Sequence, residues 1–376
     1  MSSYDVIVLG VGGMGSATVY ALARRGRRVL GLEQFSLAHD RGSSHGVNRI
    51  IRLAYAEHPA YVPLLRRAYE LWRELEDRAR ERLLFITGGV DVGAPDGPMV
   101  AGSLLSCREH NLSHEVWSAD ELNRRFPGFR LPRDLAAVYQ ADGGFVMSER
   151  AILAHAAAAH ELGAEVREGE RVQSWAPEGS GVRVRTASGE YRADRLVITA
   201  GAWVGDAVPA LSRLAVPERQ VLIWTQPLRP ELFAPGAFPV FNMEAAEGRY
   251  YGFPIYGVPG FKMGKYHHRC EQTHPDTMNR ETDAEDERVL RDGIARYFPD
   301  ANGPTLALKT CLFTNTPNEH FILDRHPELE QVSIASPCSG HGYKFAPVVG
   351  EIMADFALEG GCTKWDLRLF RLGAHP

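Results

Sequence analysis

Cysteine is scarce in this chain of 376 residues, and its five copies are widely spaced. They are Cys107, Cys270, Cys311, Cys338 and Cys362, with no C-x-x-C pair among them. An odd number of scattered thiols argues against a disulfide framework and against a zinc site, so we expect no bound metal. The length and the ordinary hydrophobic content of 44% allow two domains with substantial cores.

Long hydrophobic runs are also missing. No apolar segment approaches the roughly 20 residues needed to cross a bilayer. The first strand-like segment begins four residues after Met1, which leaves no room for a signal peptide. The C-terminal residues Gly-Ala-His-Pro carry no peroxisomal signal. A net charge of −5 gives no reason to expect nucleic acid or a membrane as a partner, and we expect a cytoplasmic protein.

The most informative stretch is near the N-terminus, where residues 5–33 read DVIVLGVGGMGSATVYALARRGRRVLGLE. The apolar run at residues 6–9 does not alternate and predicts a parallel strand covered on both faces. Gly10, Gly12 and Gly15 follow at the G-x-G-x-x-G spacing, which predicts a tight turn that lets backbone approach a pyrophosphate. A helix over residues 13–25 should then point its N-terminus at the phosphates.

A second predicted strand, residues 29–32, ends at Glu33. A carboxylate about twenty residues after the glycine turn accepts hydrogen bonds from a ribose and disfavours a 2′-phosphate. Strand, turn, helix, strand and acid in register therefore predict a dinucleotide site. These residues alone leave NAD and FAD undecided.

Helical spacing of apolar residues predicts five further helices, over residues 60–82, 118–126, 148–162, 282–298 and 348–358. Ser118 is expected to cap the second of these through Glu121. Residues 83–92 alternate loosely and predict a strand.

The pattern of later segments predicts a discontinuous nucleotide domain. Apolar strand material recurs at residues 194–202, where the Thr-Ala-Gly ending at Gly201 lets backbone approach a cofactor. Residues 219–264 switch to short apolar segments broken by Pro and Gly, which is typical of an antiparallel sheet. We predict a mixed α/β protein whose Rossmann-type cofactor domain covers residues 1–82, 146–218 and 307–376, with a substrate domain over residues 83–145 and 219–306.

A polar loop at residues 38–48, reading AHDRGSSHGVN, precedes Arg49 and Arg52. Its small residues suit a segment that wraps a cofactor. On chemistry alone, the two arginines are either surface charges or a clamp for a carboxylate, which guanidinium geometry suits.

Four segments carry a family resemblance. They are GSSHGVNRIIRLAY at residues 42–55, YYGFP at 250–254, CLFTNTPNEHFILDRHP at 311–327 and CSGHGYKF at 338–345. Together with the glycine turn they resemble the monomeric sarcosine oxidase and N-methyltryptophan oxidase family, which belongs to the D-amino acid oxidase superfamily. The similarity extends from Tyr4 to about Phe370.

The resemblance implies an FAD-binding domain of the glutathione-reductase type and an antiparallel-sheet substrate domain. It also implies that FAD is attached covalently through Cys311, although a lone cysteine is usually a small core residue. The cofactor contacts implied by the glycine turn and the resemblance together are Gly10, Gly12, Gly13, Gly15, Glu33, Ser44, His45, Arg49, Val172, Gly201, Cys311, Gly340, Gly342 and Lys344.

Further site residues follow from the same match. Arg52 and Lys344 correspond to the pair of cations that holds a substrate carboxylate over the flavin, while Arg49 lies beneath the ring. Tyr251 corresponds to an active-site tyrosine of the YYGFP segment. These assignments make Arg52, Lys344 and Tyr251 the predicted substrate-binding residues.

A lysine over the flavin face, matched here by Lys262, would favour the reaction of reduced flavin with dioxygen. One extra residue separates it from the following histidines, so Lys265 competes with Lys262, and His268 with His267. We favour Lys262 and His267.

The implied activity is oxidation of a secondary amine. Sarcosine or another N-methyl amino acid would react with dioxygen to give the amino acid, formaldehyde and hydrogen peroxide, with no partner needed beyond these small molecules and a monomer sufficient. Phe313, Pro337 and Cys338 depart from the family pattern and favour bulkier or cyclic amino acids, such as N-methyltryptophan, pipecolate or a proline-like substrate. A flavin dehydrogenase that uses an electron carrier is the other alternative.

Overall fold

The computed structural model of the protein describes residues 3–375. Within these residues the helices are α1 Gly13–Arg24, α2 Val62–Ala79, α3 Pro98–Glu109, α4 Ala119–Arg125, α5 Ser148–Glu161, α6 Val204–Ala207, α7 Ala284–Tyr297 and α8 Ala346–Glu359. The strands are β1 Ser3–Leu9, β2 Val29–Leu32, β3 Asn48–Ile51, β4 Leu84–Ile86, β5 Gly89–Gly93, β6 Glu115–Ser118, β7 Ala136–Gln140, β8 Gly144–Met147, β9 Glu165–Arg167, β10 Val172–Glu178, β11 Gly181–Thr186, β12 Glu190–Ile198, β13 Val216–Thr225, β14 Val240–Ala245, β15 Gly248–Phe253, β16 Phe261–Lys265, β17 Thr305–Asn315, β18 Ile322–Arg325 and β19 Val332–Ser336.

The first sheet is built around β1. Its order is β10-β11-β12-β1-β2-β9, with β19 added beside β12 and β18 beside β19. The central pairings of β1 with β12 and β2 are parallel, and so is that of β12 with β19. Parallel strands end at one edge of the sheet, so the glycine turn after β1 and Glu33 after β2 meet there.

Helices cover one face of this sheet. α1 packs between α5 and α8, and α2 packs against α8. The small residues make this close contact possible, because a Cβ at Gly350 of α8 would meet the backbone of Ala17 in α1 at 2.6 Å. The apolar residues that recur at helical spacing therefore pack with the sheet into one large core.

The second sheet has the order β17-β13-β16-β15-β14-β5-β7-β6 and is antiparallel except for the parallel pair β14 and β5. One face is apolar and forms a core with α7. Its members include Val90, Phe241 and Met263, which lie in one row with Gly252 across four strands, and Tyr250 on the same side of β15.

Alternation along the strands sends the intervening residues to the opposite face. One row across that face contains Asp91, Asn242, Tyr251 and Leu222. The next row contains Phe253, Lys262 and Trp224. A short third sheet, β3-β8-β4, carries Arg49 on β3.

The predicted α/β class is confirmed, and Ser118 caps α4 by accepting a hydrogen bond from the Glu121 amide at 3.2 Å. The predicted strand at residues 83–92 is broken into β4 and β5, because Gly88 between them takes a φ of +75°. α3 was missed, although Pro98 at its first turn is a helix-start signal.

The pairing of β17 bears on the predicted division into domains. β17 lies mostly within the range assigned to the cofactor domain, yet it pairs along its whole length with β13 in the second sheet. Among residues 3–375 no helix is long and apolar enough to cross a membrane.

Candidate active site

The glycine turn joins β1 to α1 with each glycine in a different environment. Gly10 has a φ of +86°, and a Cβ there would meet the Thr199 carbonyl oxygen at 2.7 Å. A Cβ at Gly15 would overlap the Gly10 carbonyl oxygen. At Gly12 a Cβ would meet nothing within 4 Å. The turn is therefore packed tightly on the protein side and open on the other, which suits a phosphate at the N-terminus of α1.

Glu33 closes the same edge of the sheet. One of its carboxylate oxygens accepts the Val11 amide at 2.8 Å, and the other accepts the Phe35 amide at 3.0 Å. His39 lies 3.4 Å from the carboxylate. These contacts hold the acid at the cleft, where a ribose hydroxyl can reach its remaining lone pairs.

An elongated cleft of about 360 Å³ starts at this turn. Its volume falls within the range of small-molecule sites. Among the predicted cofactor residues, those that line it are Gly10, Gly12, Gly13, Glu33, Ser44, Arg49, Val172, Gly201, Gly340 and Gly342. The cleft is also lined by Arg171, Trp175 and Trp203, which the sequence analysis did not identify.

Four predicted cofactor residues do not line this cleft, namely Gly15, His45, Cys311 and Lys344, and Lys344 lines a second cavity described below. Gly15 is packed inside the turn, while Cys311 and His45 are buried beside Arg49. Burial raises the pKa of the Cys311 thiol, but His45 and Arg49 outweigh this effect and bring the pKa down to about 7. A thiol with that pKa is substantially ionised at neutral pH and is nucleophilic.

Several polar atoms next to the cleft have no protein partner. The hydroxyl of Ser43 and Nε2 of His45 are buried without a hydrogen bond to any residue in the described part of the chain. Buried polar groups normally have partners, so these atoms indicate a bound group. Together with the open side of the glycine turn, they fit a dinucleotide cofactor.

The loop that carries His45 is fixed from two sides. The carboxylate of Glu149 accepts the amides of Gly46 and Val47 at 2.6 and 3.0 Å. On the other side, Nζ of Lys262 donates to the carbonyls of Gly46 and Asn48 and to the Asn48 side chain, at 2.7 to 2.9 Å.

Lys262 is thus buried, its Nζ has three hydrogen-bond acceptors, and it lines neither of the cavities described here. Its Nζ also lies 4.1 Å from the centre of the Phe253 ring. Burial lowers its pKa well below the usual value, and the charge of Arg49 adds to the effect. Lys265, its competitor from the sequence, alternates to the opposite side of β16 and pairs in register with Tyr250.

A second cavity of about 30 Å³ adjoins the cleft. The two share Arg49, Gly340 and Tyr343, so these residues form the boundary between them. The other residues of the small cavity are Ile50, Arg52, Asn242, Tyr251, Phe253, Tyr266, His341 and Lys344. The structure therefore brings together Arg49, Arg52, Tyr251 and Lys344, as the sequence predicted.

Arg52 is already paired with protein groups. Its Nη2 donates to both oxygens of Glu57 at 3.0 and 2.7 Å, and its Nη1 donates to the Ala54 carbonyl at 2.6 Å. Arg249 donates to the same Glu57 at 2.6 Å. Burial raises the pKa of Glu57, but the two arginines outweigh this and hold it well below its usual range.

Lys344 differs from Arg52 in having no carboxylate partner among residues 3–375. It is 5% exposed, and its Nζ donates to the carbonyl of His341 at 2.6 Å. Burial lowers the pKa of Lys344 to about 7, and the charge of Arg52 adds to the fall. Its remaining N–H groups are free to bind an anion.

The predicted histidine lies outside both cavities. The side chain of His267 is 39% exposed and sits between Glu218 and Glu319, at 3.1 and 3.0 Å. Tyr266 lines the small cavity instead, edge-on to Tyr251 with their ring centres 5.3 Å apart. β16 ends at Lys265, and His267, two residues further, takes a φ of +52°.

His268, the other candidate, has a structural environment. Its side chain is fully buried and lies 3.1 Å from Asp286, which Arg219 also binds. Phe313 and Cys338, the departures that favoured a bulkier substrate, line the cofactor cleft and not the small cavity.

The family model described as FAD dependent oxidoreductase matches residues 5–356. A monomeric sarcosine oxidase of Streptomyces avermitilis is 44% identical, and the alignment covers 100% of this chain and 99% of that protein. An N-methyl-L-tryptophan oxidase of Salmonella dublin is 36% identical, with 98% of each chain covered. Among solved structures, the open form of NikD, an unusual amino acid oxidase of nikkomycin biosynthesis, superimposes with a TM-score of 0.84 at 27% identity and covers 99% of this chain and 98% of its own.

Proposed function

Because the chain belongs to the family of FAD-dependent oxidoreductases, we propose that it is an oxidase of small N-methyl amino acids, with sarcosine as the reference substrate. FAD, when bound, supplies the redox chemistry by accepting a hydride from the carbon next to nitrogen and passing two electrons to dioxygen. In the overall reaction sarcosine, water and dioxygen give glycine, formaldehyde and hydrogen peroxide.

The unpaired charge of the small cavity is the observation that carries this proposal. Arg52 pairs with Glu57 and lies 3.5 Å from Asp91, and Arg249 also pairs with Glu57, whereas the buried Lys344 has no carboxylate partner among residues 3–375. Buried charges are costly unless they are balanced. A substrate carboxylate at Lys344 would supply the partner that this cation lacks.

The size of the cavity favours a small substrate. About 30 Å³ is an order of magnitude below the volume of typical ligand pockets. Its walls include the rings of Tyr251, Phe253, Tyr266 and Tyr343, which an indole or a large ring would have to displace. We therefore prefer sarcosine to N-methyltryptophan, although the Salmonella relative carries the latter name.

We assign the following roles within this proposal. Lys344 binds the carboxylate, and Arg52 supports it with its charge and its Nε. Tyr251 and Tyr266 shape the wall, Arg49 lies between substrate and cofactor, and Lys262 supplies the cation on the dioxygen side. His267 is supported only by the family match, since it does not line the cavity.

Covalent attachment of the cofactor through Cys311 is part of the proposal. The thiol is buried between His45 and Arg49 with a pKa of about 7. These surroundings suit a sulfur that reacts as its thiolate. We also propose cofactor contacts at Gly15, His45 and Lys344, although these residues do not line the cleft.

We further propose a monomer that works in the cytoplasm. The Streptomyces relative is named a monomeric enzyme. All five cysteines are free thiols, which suits a reducing compartment.

An anaerobic absorption spectrum tests the activity. We expect the purified protein to carry a flavin band that bleaches when excess sarcosine is added, and formaldehyde to be released. The Lys344→Met variant should keep the flavin band but bleach far more slowly. A band that persists with sarcosine and bleaches with N-methyltryptophan would contradict the small-substrate assignment.

Denaturation tests the covalent bond. The flavin should remain with the acid-precipitated chain in the natural protein and appear in the supernatant of Cys311→Ser. Cys338→Ser is the matched control, because Cys338 lines the same cleft and its thiol pKa is raised by burial. Release of flavin from the natural protein would contradict covalent attachment.

A further inference from the structure

Asp91 and Asn242 form a buried polar pair behind Arg52. They are neighbours in register on the parallel strands β5 and β14, and each is 3% exposed. Strand alternation places both on the face of the second sheet that carries Tyr251. Asn242 lines the small cavity beside Arg52.

The contacts of Asp91 determine which way the Asn242 amide points. One carboxylate oxygen accepts the hydroxyl of Ser103 at 2.8 Å and lies 3.5 Å from Nη1 of Arg52. The other accepts Nδ2 of Asn242 at 3.1 Å. Because a carboxylate bound in this way is an acceptor, the amide must offer it the N–H side. The amide oxygen of Asn242 therefore faces away from Asp91.

That oxygen makes no hydrogen bond to any residue in the range 3–375. The oxygen is not among the fully buried atoms that lack a partner, so it is open to the small cavity that Asn242 lines, and a bound ligand can donate a hydrogen bond to it there. A substrate carboxylate cannot do so, since it only accepts. In its neutral form sarcosine has a single donor, the N–H of its secondary amine.

We propose that Asn242 accepts a hydrogen bond from the amine N–H of the substrate, and that Asp91 positions Asn242 for this contact. The site thereby selects secondary amines over tertiary amines, whose neutral form has no N–H. The inference rests on the proposed function, because it requires a carboxylate-bearing amine in the small cavity.

Three ligands that differ only at the amine position test the hydrogen bond to Asn242. Sarcosine has the N–H, N,N-dimethylglycine replaces it with a methyl group, and methoxyacetate replaces the nitrogen with an ether oxygen. In Asn242→Leu we expect kcat/KM for sarcosine to fall about three- to tenfold, as for the loss of one neutral hydrogen bond. The inhibition constants of the other two, measured in competition with sarcosine and by calorimetry, should change less than twofold.

Asn242→Ser serves as a second variant that keeps a polar group beside Asp91 while removing the amide oxygen. Asn123→Leu is the matched control, since Asn123 bonds to the backbone of Leu131 away from either cavity. It should leave all three constants unchanged.

Equal weakening of all three ligands would overturn the inference, because Asn242 would then act only through Arg52. An unchanged kcat/KM for sarcosine in both Asn242 variants would overturn it as well. A natural enzyme that neither oxidises sarcosine nor binds methoxyacetate would instead refute the proposed function.

Discussion

Binding of a carboxylate at Lys344 should depend strongly on pH. The free cavity holds Lys344 with a pKa of about 7, because burial penalises the charged form. A bound carboxylate favours the ammonium and raises this pKa toward its ordinary value. The protonated form binds, so affinity should be constant below pH 7 and fall as pH rises above it.

The magnitude follows from the pKa. Each unit above about pH 7 removes a further factor of ten from the protonated fraction, so affinity should fall about a hundredfold between pH 6 and pH 9. Methoxyacetate is a suitable ligand, because it contains no amine and therefore cannot be oxidised as one. Calorimetry in two buffers of different ionisation enthalpy should show uptake of nearly one proton per ligand at pH 8.

Two other titratable groups near Lys344 do not produce the same pH dependence of affinity. Burial lowers the pKa of His341 to about 4, so it stays neutral across the range. Burial raises the pKa of Tyr55 well above its usual value. Burial raises the pKa of Asp91, and a variant of Lys344 that retains Asp91 separates its contribution from that of the lysine.

Substitution of Lys344 separates these contributions. Lys344→Arg should bind methoxyacetate with little change between pH 6 and pH 9, because a guanidinium stays charged. Lys344→Met should bind weakly at every pH. A pH-independent affinity in the natural protein, or an equal slope in Lys344→Arg, would refute the assignment of Lys344 as the counter-ion.

Two further substitutions probe Lys262 and His267, which line neither cavity. Lys262→Met should slow the reaction of the reduced enzyme with dioxygen at least about tenfold in stopped-flow mixing, while reduction by sarcosine persists; full oxygen reactivity would contradict this role. His267→Gln should lower the melting temperature by about 1–2 °C at pH 6, where the ion pairs of His267 with Glu218 and Glu319 are intact. These hydrogen bonds raise the pKa of His267 to about 10, so its contribution is complete below about pH 6.5 and is lost as pH rises through 10, where the two melting curves should converge.

The nucleotide-binding half was predictable because its signals are local. Gly10, Gly12 and Gly15 specify a turn within six residues, and the strand before them is apolar on both faces. Helix packing on the first sheet follows from spacing that can be counted along the chain. The predicted cofactor contacts in later segments, such as Val172 and Gly201, rest on strand ends and on the family resemblance, and both residues line the cleft.

Counting residues along the sequence could not show which side chain after β16 lines the small cavity. The segment from Lys262 to His268 has one residue more than the family pattern, and sequence alone does not show where the strand stops. In the structure, alternation holds through Lys265, and the positive φ of His267 then turns its side chain away from the cavity that Tyr266 lines.

The carboxylates around Arg52 could not be predicted from the sequence, for a different reason. Asp91 stands between Val90 and Val92 on a strand whose valines form a core, so its pattern is that of a solvent-facing residue. It is buried because the residues around Arg52 cover that face. Glu57, Asp91 and Asn242 are far apart in sequence and meet only through strand pairing and tertiary packing. Sequence motifs could therefore identify the cations of the small cavity, whereas the protein acceptors that already occupy one of them became visible only in three dimensions. This difference is the reason that we propose Lys344 as the cation that binds the substrate.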